Sequence, residues 1–497
     1  MWGGPMRHPL RWMRKHIHTG EVADRPDGPV TSRLIDDLEG DFEMAKTRRT
    51  GGVLKPPDCL RRIHLKVAAS TVIAVLALIL PAVPAEGEDG EDWQTRKHGI
   101  AGWEDMSRRW VEVGMVPSGF YLFDILGNPV GGRELATEYA GTAQIDLSLN
   151  LEKLLGIRGL AFDAAASWSS GHNLSQSIGN VFQVAAAYTG QTVQLSRLYL
   201  EQTLAAGKVH LKLGRVAAGN DFAALPIASY HVNSAINGVP ASIPINDPGF
   251  FTDPVAQWGL RLRIRPSAFW TLKLGAFNSD PTVADESNHG LDFSFNPEDG
   301  VLAAAEIALN PTFGGGRFRG HYRIGAYYDS ADFDLLADPL RTQNGQYGYY
   351  FTAQQEVYHE DDDPAAVEVR PLFGRHIIRT PVPEGMPLVY QGLMSWFAVA
   401  LSPREEISTI PVYIAGGVLY RGLFKYRDRD RAGLAVYYGK FSEFLPEKSA
   451  ETVIELNYAI QMAPWFYITP DVQYVINPGG TDIPNALVIG FETGVTF

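Results

Sequence analysis

The chain has 497 residues, of which 45% are hydrophobic, 20% charged and 11% aromatic, and its formal net charge at pH 7 is −13. This composition excludes a disordered chain, and the acidic balance argues against a nucleic-acid binder, which needs a basic surface. A single cysteine, Cys59, excludes a disulfide framework and any site built from several cysteines.

The amino-terminal part of the chain carries the features of an export signal. Residues 67–80 form an uncharged apolar run that follows a basic flank and precedes a small-residue site ending at Ala85. This run is shorter than the ~20 residues of a spanning helix, which is the alternative interpretation. We therefore predict a signal peptide at 61–85, preceded at 1–60 by a disordered leader or an over-extended start.

A short linking segment, 86–139, is predicted to follow the signal peptide. Within it, Trp110, Val113 and Val116 recur at helical spacing with charged residues between them. This pattern predicts a short helix within 104–116, inside or across one mouth of the domain that follows. A plain periplasmic tether is the alternative.

From residue 140 to 497 the hydrophobicity has a period of two, which is typical of strands. In 144–150 and 453–461, for example, aliphatic or aromatic residues alternate with polar and charged ones. The segments run for about ten residues and carry aromatic residues at their ends, as strands that cross a membrane at a tilt do. The sequence thus predicts an all-β, transmembrane antiparallel barrel, because a closed barrel leaves no backbone group unpaired in lipid.

Sixteen strands are predicted, joined alternately by tight and long connections. The tight connections are expected at 204–207, 266–268 and 462–464, and the long ones at 216–255, 279–300, 330–346 and 476–485. The segment 359–387 is long where a short turn is expected. The predicted strands lie near 140–150, 159–169, 181–188, 194–203, 208–215, 256–265, 269–278, 301–310, 317–329, 347–358, 388–401, 410–420, 430–441, 451–461, 465–475 and 486–497.

Several stretches in this order resemble the carbohydrate-selective outer-membrane porin family of the OprB type. They include RRWVEVGMVPSGFYLFDILGNPVGG at 108–132, RLYLEQ at 197–202, GLMSWF at 392–397, and ETVIELNY at 451–458 followed by PWFYITPDVQYVINPGG. The resemblance covers about 103–497, except for 333–386. It implies a sixteen-stranded barrel in the outer membrane of a Gram-negative bacterium, through which sugars diffuse passively.

Charged side chains are predicted to line the interior, because Arg or Lys on the lipid face costs about 2–4 kcal/mol at the membrane midplane. Sugar hydroxyls need guanidinium donors and carboxylate acceptors, and aromatic rings suit the apolar faces of the sugar. We expect the loop 216–255 to fold inward beside a charged strand pair and form a constriction. Its predicted residues are Arg197, Tyr199, Glu201, Lys212, Arg215, Asp221, Phe222, Glu306, Arg323 and Glu356.

Other charges also have inward parity, and each of them taken singly is more often an ordinary solvated side chain that pairs with its neighbours. These are Asp146, Asp163, Arg261, Arg263, Arg319, Glu455, Asp471 and Glu492. The acidic run 359–363 could hold a divalent cation, but such a run is more often a solvated loop. We therefore predict no metal site and no cofactor.

Motifs for phosphate binding, zinc hydrolysis and serine hydrolysis are absent from the sequence, so we do not expect an enzyme. A barrel with a closed interior and an enzymatic, adhesive or structural role, and a porin for small organic acids, are the alternatives. The partners we expect are small hydrophilic solutes, outer-membrane lipid, and the barrel-assembly machinery acting on the strand that ends at Phe497. The barrel is expected to be a monomer or a homotrimer.

Overall fold

A computed structural model describes Gly99, 103–236, 238–360 and 391–496. Sixteen long strands dominate this part of the chain, and a two-residue segment, β9, extends the edge of β8. The strands are β1 Met115–Val130, β2 Thr137–Asn150, β3 Leu160–Gly171, β4 Val193–Leu204, β5 Val209–Val216, β6 Gln257–Ile264, β7 Trp270–Asn278, β8 Val301–Leu309, β9 Thr312–Phe313, β10 Phe318–Asp334, β11 Thr342–His359, β12 Gly392–Leu401, β13 Val412–Arg421, β14 Arg431–Lys440, β15 Ala450–Ala463, β16 Phe466–Ile476 and β17 Ala486–Thr496.

The long strands close into one antiparallel ring. Each pairs with its neighbours in sequence, β8 pairs with β10, and the ring is completed where β1 pairs with β17. The closing seam runs from Phe120 opposite Thr496 to Val130 opposite Leu487. The predicted barrel of sixteen strands is therefore confirmed.

Alternation along each strand separates an exposed apolar face from a buried interior. In β15, Ile454 and Leu456 are exposed while Glu451, Glu455 and Asn457 between and beside them are buried. Because the apolar side chains face outward and the charged ones inward, the pattern is the reverse of a soluble barrel and fits a membrane.

Tight turns and long loops lie at opposite ends of the ring. The turns at 205–208, 265–269 and 464–465 are short, as predicted, and join strands at the end where β1 begins. The connections 172–192, 217–256 and 279–300 lie at the other end. The connection between β10 and β11 was predicted at 330–346 but spans only 335–341, because both strands continue well beyond the expected boundaries.

One predicted strand is wrong, and one strand was not predicted. Residues 181–188 form no strand, and their alternating apolar side chains belong to an inward-folded loop. The missing sixteenth strand is β1, which lies in the segment that was predicted to precede the barrel. It has apolar residues on both faces, since Phe120 and Leu122 face inward and pack with Tyr467 of β16.

Loops 172–192 and 217–256, called the first and second inward loops below, fold into the ring. Many of their apolar side chains are fully buried, among them Phe182, Ile227 and Phe250. They join Tyr413, Tyr437 and other wall residues in one apolar cluster, so part of the interior is filled. The prediction that 216–255 folds inward is confirmed, while the first inward loop was not foreseen.

A helix, α1, spans Trp103–Val113 and precedes β1, as the spacing of its apolar residues predicts. Lys153 donates to the carbonyl oxygens of Val111 and Glu112 at its carboxyl end, at 2.9 and 3.4 Å. Within the described ranges, no helix has the length and apolarity needed to cross a membrane.

Candidate functional site

Inward-facing charges on β2 to β10 form three neighbouring groups of ion pairs, which we call together the paired-charge wall. Strand alternation places each side chain, and the second inward loop supplies Asp221. Its residues are Asp146, Arg197, Glu201, Lys212, Asp221, Asp253, Arg261, Lys273, Glu306 and Arg323, and Asp253 also comes from the second inward loop.

Arg197 of β4 lies at the first of these pairs. One terminal nitrogen contacts the Asp146 carboxylate on β2, and the other lies 3.8 Å from Asp253 Oδ2 of the second inward loop. Gln144 supports Asp146 by donating to its Oδ1 at 2.9 Å. Nearby, Asp163 accepts a hydrogen bond from Ser148. The predicted interior position of Asp146, Asp163 and Arg197 is confirmed.

Asp221 is the centre of the next group. Its carboxylate accepts from Lys212 Nζ at 2.9 and 3.0 Å and from Arg261 Nε at 3.1 Å. Arg261 also reaches Glu201 Oε1 at 3.1 Å, so two cations and two carboxylates alternate. Lys212 Nζ lies 4.7 Å from the ring centre of Tyr199, a cation–π distance.

These neighbours determine the protonation state of Asp221. Burial alone would raise the pKa of its carboxyl, but the charges of Lys212 and Arg261 outweigh burial and hold that pKa well below its usual range. Asp221 therefore stays ionised at any physiological pH, and the second inward loop remains bound to β5 and β6 through this residue.

Glu306 of β8 forms the third group. It accepts from Lys273 Nζ at 2.8 Å and from the hydroxyl of Tyr350 at 2.9 Å, and Arg323 Nε lies 3.8 Å away. Arg323 also donates to the carbonyl oxygen of Ala224 in the second inward loop. On this side of the ring, charged groups from six strands thus hold the second inward loop: β4, β5, β6, β7, β8 and β10.

Glu356 forms a separate pair near the end where the tight turns lie. Arg319 Nη2 lies 2.9 Å from its Oε1, and His359 Nε2 lies 3.4 Å from its Oε2. Of the acidic run that was weighed as a cation site, 361–363 lie outside the described residues. Among the residues that the structure describes, no group of three or more metal-ligating side chains could hold a metal ion.

Two predicted constriction residues lie elsewhere. Phe222 is fully buried in the apolar cluster and packs edge-on against Phe277, so it cannot contact a solute. Arg215 shares the outward parity of Leu213, and its guanidinium donates to the carbonyl oxygen of Ala256 and lies 5.3 Å from the ring of Phe293. Lys212 and Arg215 are three residues apart, and a strand cannot turn both into the interior.

Three other predicted interior carboxylates lie on a different wall, formed by β15 to β17. Asp471 accepts from Gln473 at 2.7 Å, and Glu492 accepts from the hydroxyl of Tyr467 at 3.1 Å. Glu455 accepts backbone amides of the second inward loop. These three carboxylates are buried, as parity predicts. Arg263 shares the inward parity of Arg261.

Residues 135–497 match the model of the family described as carbohydrate-selective porin, OprB family. The chain belongs to this family. Porin B of Pseudomonas aeruginosa is 24% identical to this porin over 424 residues, which cover 76% of this chain and 86% of that relative.

Two solved structures share the fold of this porin. The high-pH structure of Pseudomonas putida OprB has a TM-score of 0.72 and 22% sequence identity, and covers 82% of this chain and 100% of that one. The low-pH structure of the same protein has a TM-score of 0.53 and 18% identity, covering 81% and 99%. The predicted family, fold, function and location are confirmed: this is a channel in the Gram-negative outer membrane for passive diffusion of sugars.

The family fixes the orientation of the barrel. In outer-membrane barrels the short turns face the periplasm and the long loops face the exterior. Both inward loops therefore enter this porin from the exterior side, and the Arg319–Glu356 pair lies toward the periplasm.

Sequence reasoning missed two charged residues of this region. Lys273 has inward parity in β7 and stands opposite Glu306 in the register, so parity could have found it. Asp253 lies in the second inward loop, where no periodic pattern predicts which side chain returns to the wall.

Proposed function

We propose that sugars cross this porin along the paired-charge wall, and that the pairing of its charges favours neutral sugars over organic anions. Every cation of the wall lies within 3.8 Å of a carboxylate: Arg197, Lys212, Arg261, Lys273 and Arg323. Such pairing leaves little net field to attract an anion. It leaves donors and acceptors side by side, which is what a ring of hydroxyl groups needs.

Solvent access along the wall supports this assignment. The side chains of Asp253, Glu201, His210 and Lys273 keep 24%, 17%, 14% and 13% exposure, respectively. These four offer carboxylate acceptors and nitrogen donors to a passing solute. Another part of the interior is filled by the apolar cluster of the inward loops.

Single-channel recording in a planar bilayer tests the proposal, with porin purified from outer membranes. Glucose is expected to block the current saturably, while succinate at the same concentration blocks it less. Arg197→Ala removes a charged hydrogen-bond donor worth about 1.5–3 kcal/mol and should weaken the glucose block about tenfold or more. Arg341→Ala, at an exposed site between β10 and β11, is the matched control and should leave the block unchanged.

Each other outcome has a defined meaning. Channels that glucose does not block would refute the assigned path. A block by succinate that exceeds the block by glucose would support the organic-acid alternative. Sugar block that survives Arg197→Ala unchanged would place the sugar path away from β2 and β4.

Assembly partners and oligomeric state belong to the same proposal. The outward side chains Leu487, Ile489 and Phe491 of β17 form an apolar stripe. Phe497, which lies outside the described residues, continues that alternation, and we propose that the barrel-assembly machinery reads it. Both a monomer and a homotrimer stay predictions, and chemical crosslinking in intact outer membranes distinguishes them.

A further inference from the structure

The two inward loops lack a strand ladder to hold them, yet they cross the interior. The second inward loop is bound to β5 and β6 through Asp221, and it reaches β15 with Val232 and Asn233. By the order of strands, β5 and β15 are nearly diametrically opposite in the ring. The second inward loop therefore crosses the barrel from β5 to β15, and the part that lies at β15 needs an attachment.

Three carboxylates on β1 and β15 receive the backbone of these loops. Glu451 accepts from the amide of Phe182 at 2.7 Å and from the amide of Val181 at 2.9 and 3.1 Å. Glu455 accepts from the amides of Val232 and Asn233 at 2.7 and 3.3 Å. The third, Asp124, accepts from the amide of Ala187 at 3.0 Å.

All three carboxylates are almost inaccessible to solvent, with 0–1% exposure. A buried backbone amide needs an acceptor, and a carboxyl oxygen supplies one at each of these three positions. A carboxylate also has enough lone pairs to receive several amides at once, as Glu451 does. Three of the loop residues bound in this way, Val181, Phe182 and Val232, have apolar side chains. The carboxylates of β1 and β15 therefore bind the backbone of the loops.

Further contacts join the two loops into one body. The amide of Ala186 donates to the carbonyl oxygen of Val232 at 2.9 Å, and the amide of Ser234 donates to that of Gln183 at 2.8 Å. Gln473 of β16 donates to the carbonyl oxygen of Val184 and accepts from Asn233, both at 2.8 Å. Movement of either loop would therefore displace the other.

We propose that Asp124, Glu451 and Glu455 are positioning residues that clamp the inward loops against the β15-to-β1 wall and so set the width of the sugar passage. They do not touch the solute. They act through the loops, whose opposite end contributes Asp221 and Asp253 to the paired-charge wall. The consequence for sugar selectivity rests on the proposed function, whereas the clamp itself does not.

Glu451→Gln with Glu455→Gln is the decisive variant. An amide supplies one acceptor oxygen and turns its own N–H groups toward the loop amides, so both attachments weaken. We expect the single-channel conductance to rise about twofold or more, because loops released from the wall open locally. Glu443→Gln, at a side chain with 75% exposure on the exterior rim, is the matched control and should leave conductance unchanged.

A labelling experiment measures the loops directly and needs no sugar. Ala185→Cys, in a Cys59→Ser background, places a thiol at a site with 3% exposure in the first inward loop. A maleimide should modify this thiol about tenfold faster in the variant that also carries Glu451→Gln and Glu455→Gln. The temperature at which the barrel loses its heat-modifiable mobility in SDS gels should stay unchanged, because the strand ladder is intact. Glu451→Asp, used in place of Glu451→Gln, keeps both acceptor oxygens. The thiol should then be modified more slowly than in the double variant.

The outcomes separate the two proposals. Unchanged conductance and unchanged labelling in a folded double variant would overturn the clamp, even if glucose blocks the channel. Wild-type channels that glucose does not block would refute the sugar path, while faster labelling would still support the clamp. If the double variant forms no barrel, Asp124→Ala replaces it, since it removes the acceptor of a single amide, and unchanged labelling there would likewise overturn the clamp.

Discussion

Replacing Asp221 by Asn removes the carboxylate that two buried cations share. Lys212 and Arg261 lie 2.9 and 3.1 Å from it, and their side chains are 2% and 4% exposed. Breaking a buried pair by removing one partner costs about 3–5 kcal/mol, because a charge is left uncompensated. The two cations would lose the counter-charge that they share, Arg261 would keep its pair with Glu201, and the local net charge would rise by one.

The change in ion selectivity follows from Coulomb's law. A unit charge about 7 Å from a hydrated ion contributes about 0.6 kcal/mol at the dielectric constant of water. Anions gain this energy and cations lose it, so the anion-to-cation permeability ratio should rise about eightfold at low salt. Near 1 M salt the effect should largely vanish, because the Debye length falls to about 3 Å.

Reversal potentials in a KCl gradient measure this ratio. Asp482→Asn removes the same charge from an exposed site on the exterior rim and serves as the control. A ratio that shifts equally in both variants, or in neither, would refute the argument that Asp221 neutralises the passage. Persistence of the shift at 1 M salt would also contradict it.

The low pKa of Asp221 determines how this residue affects stability and ion selectivity as the pH changes. A carboxyl whose pKa is lower in the folded protein than in the unfolded chain contributes stability above the unfolded value of about 3.9, and loses it as pH falls through the folded value. The folded pKa lies well below the usual range. The ion selectivity of the wild-type porin should therefore not change through Asp221 between pH 7 and pH 4.

Two further predictions concern Arg215 and the seam between β1 and β17. Arg215→Met should leave the glucose block unchanged, because Arg215 faces outward. Thermal melting should show a loss of about 1 kcal/mol in stability, since the variant loses the hydrogen bond of Arg215 and its contact with Phe293. A weakened glucose block would show that Arg215 faces the solute. Gly490→Ala should prevent formation of a heat-modifiable barrel. The added Cβ would lie 2.0 Å from the carbonyl oxygen of Ile125 across the β1–β17 seam. A normal yield of folded barrel would contradict this prediction.

Strand alternation was predictable wherever the two faces of a strand differ in polarity. β2 and β15 carry charges on one face and aliphatic residues on the other, so parity alone placed Asp146 and Glu455 inside. β1 escaped prediction because its inner face is also apolar and packs on the inward loops. Residues 181–188 alternate in hydrophobicity as a strand does. Their buried side chains pack inside the barrel, but their backbone pairs with no strand.

The candidate site was predictable from parity only as far as the strands extend. Parity gave the order of charges on β4 to β10, but it could not say which loop carboxylate returns to which cation. Asp253 reaches Arg197, and Phe222 turns into the apolar cluster, through loop conformations that no periodic pattern specifies. The Arg215 error has a simpler cause, since Lys212 and Arg215 differ by an odd number of residues and must lie on opposite faces.

The seam between β1 and β17 has a consequence for biogenesis. The first and last strands of the ring are partners, so a chain still being synthesised or exported has two open edges until residue 496 is in place. Unpaired strand edges invite association with other chains, and contacts between such distant segments form slowly. A nascent molecule must therefore be kept from pairing with its neighbours for the whole of its transit, and a chain truncated before β17 lacks the strand that pairs with β1.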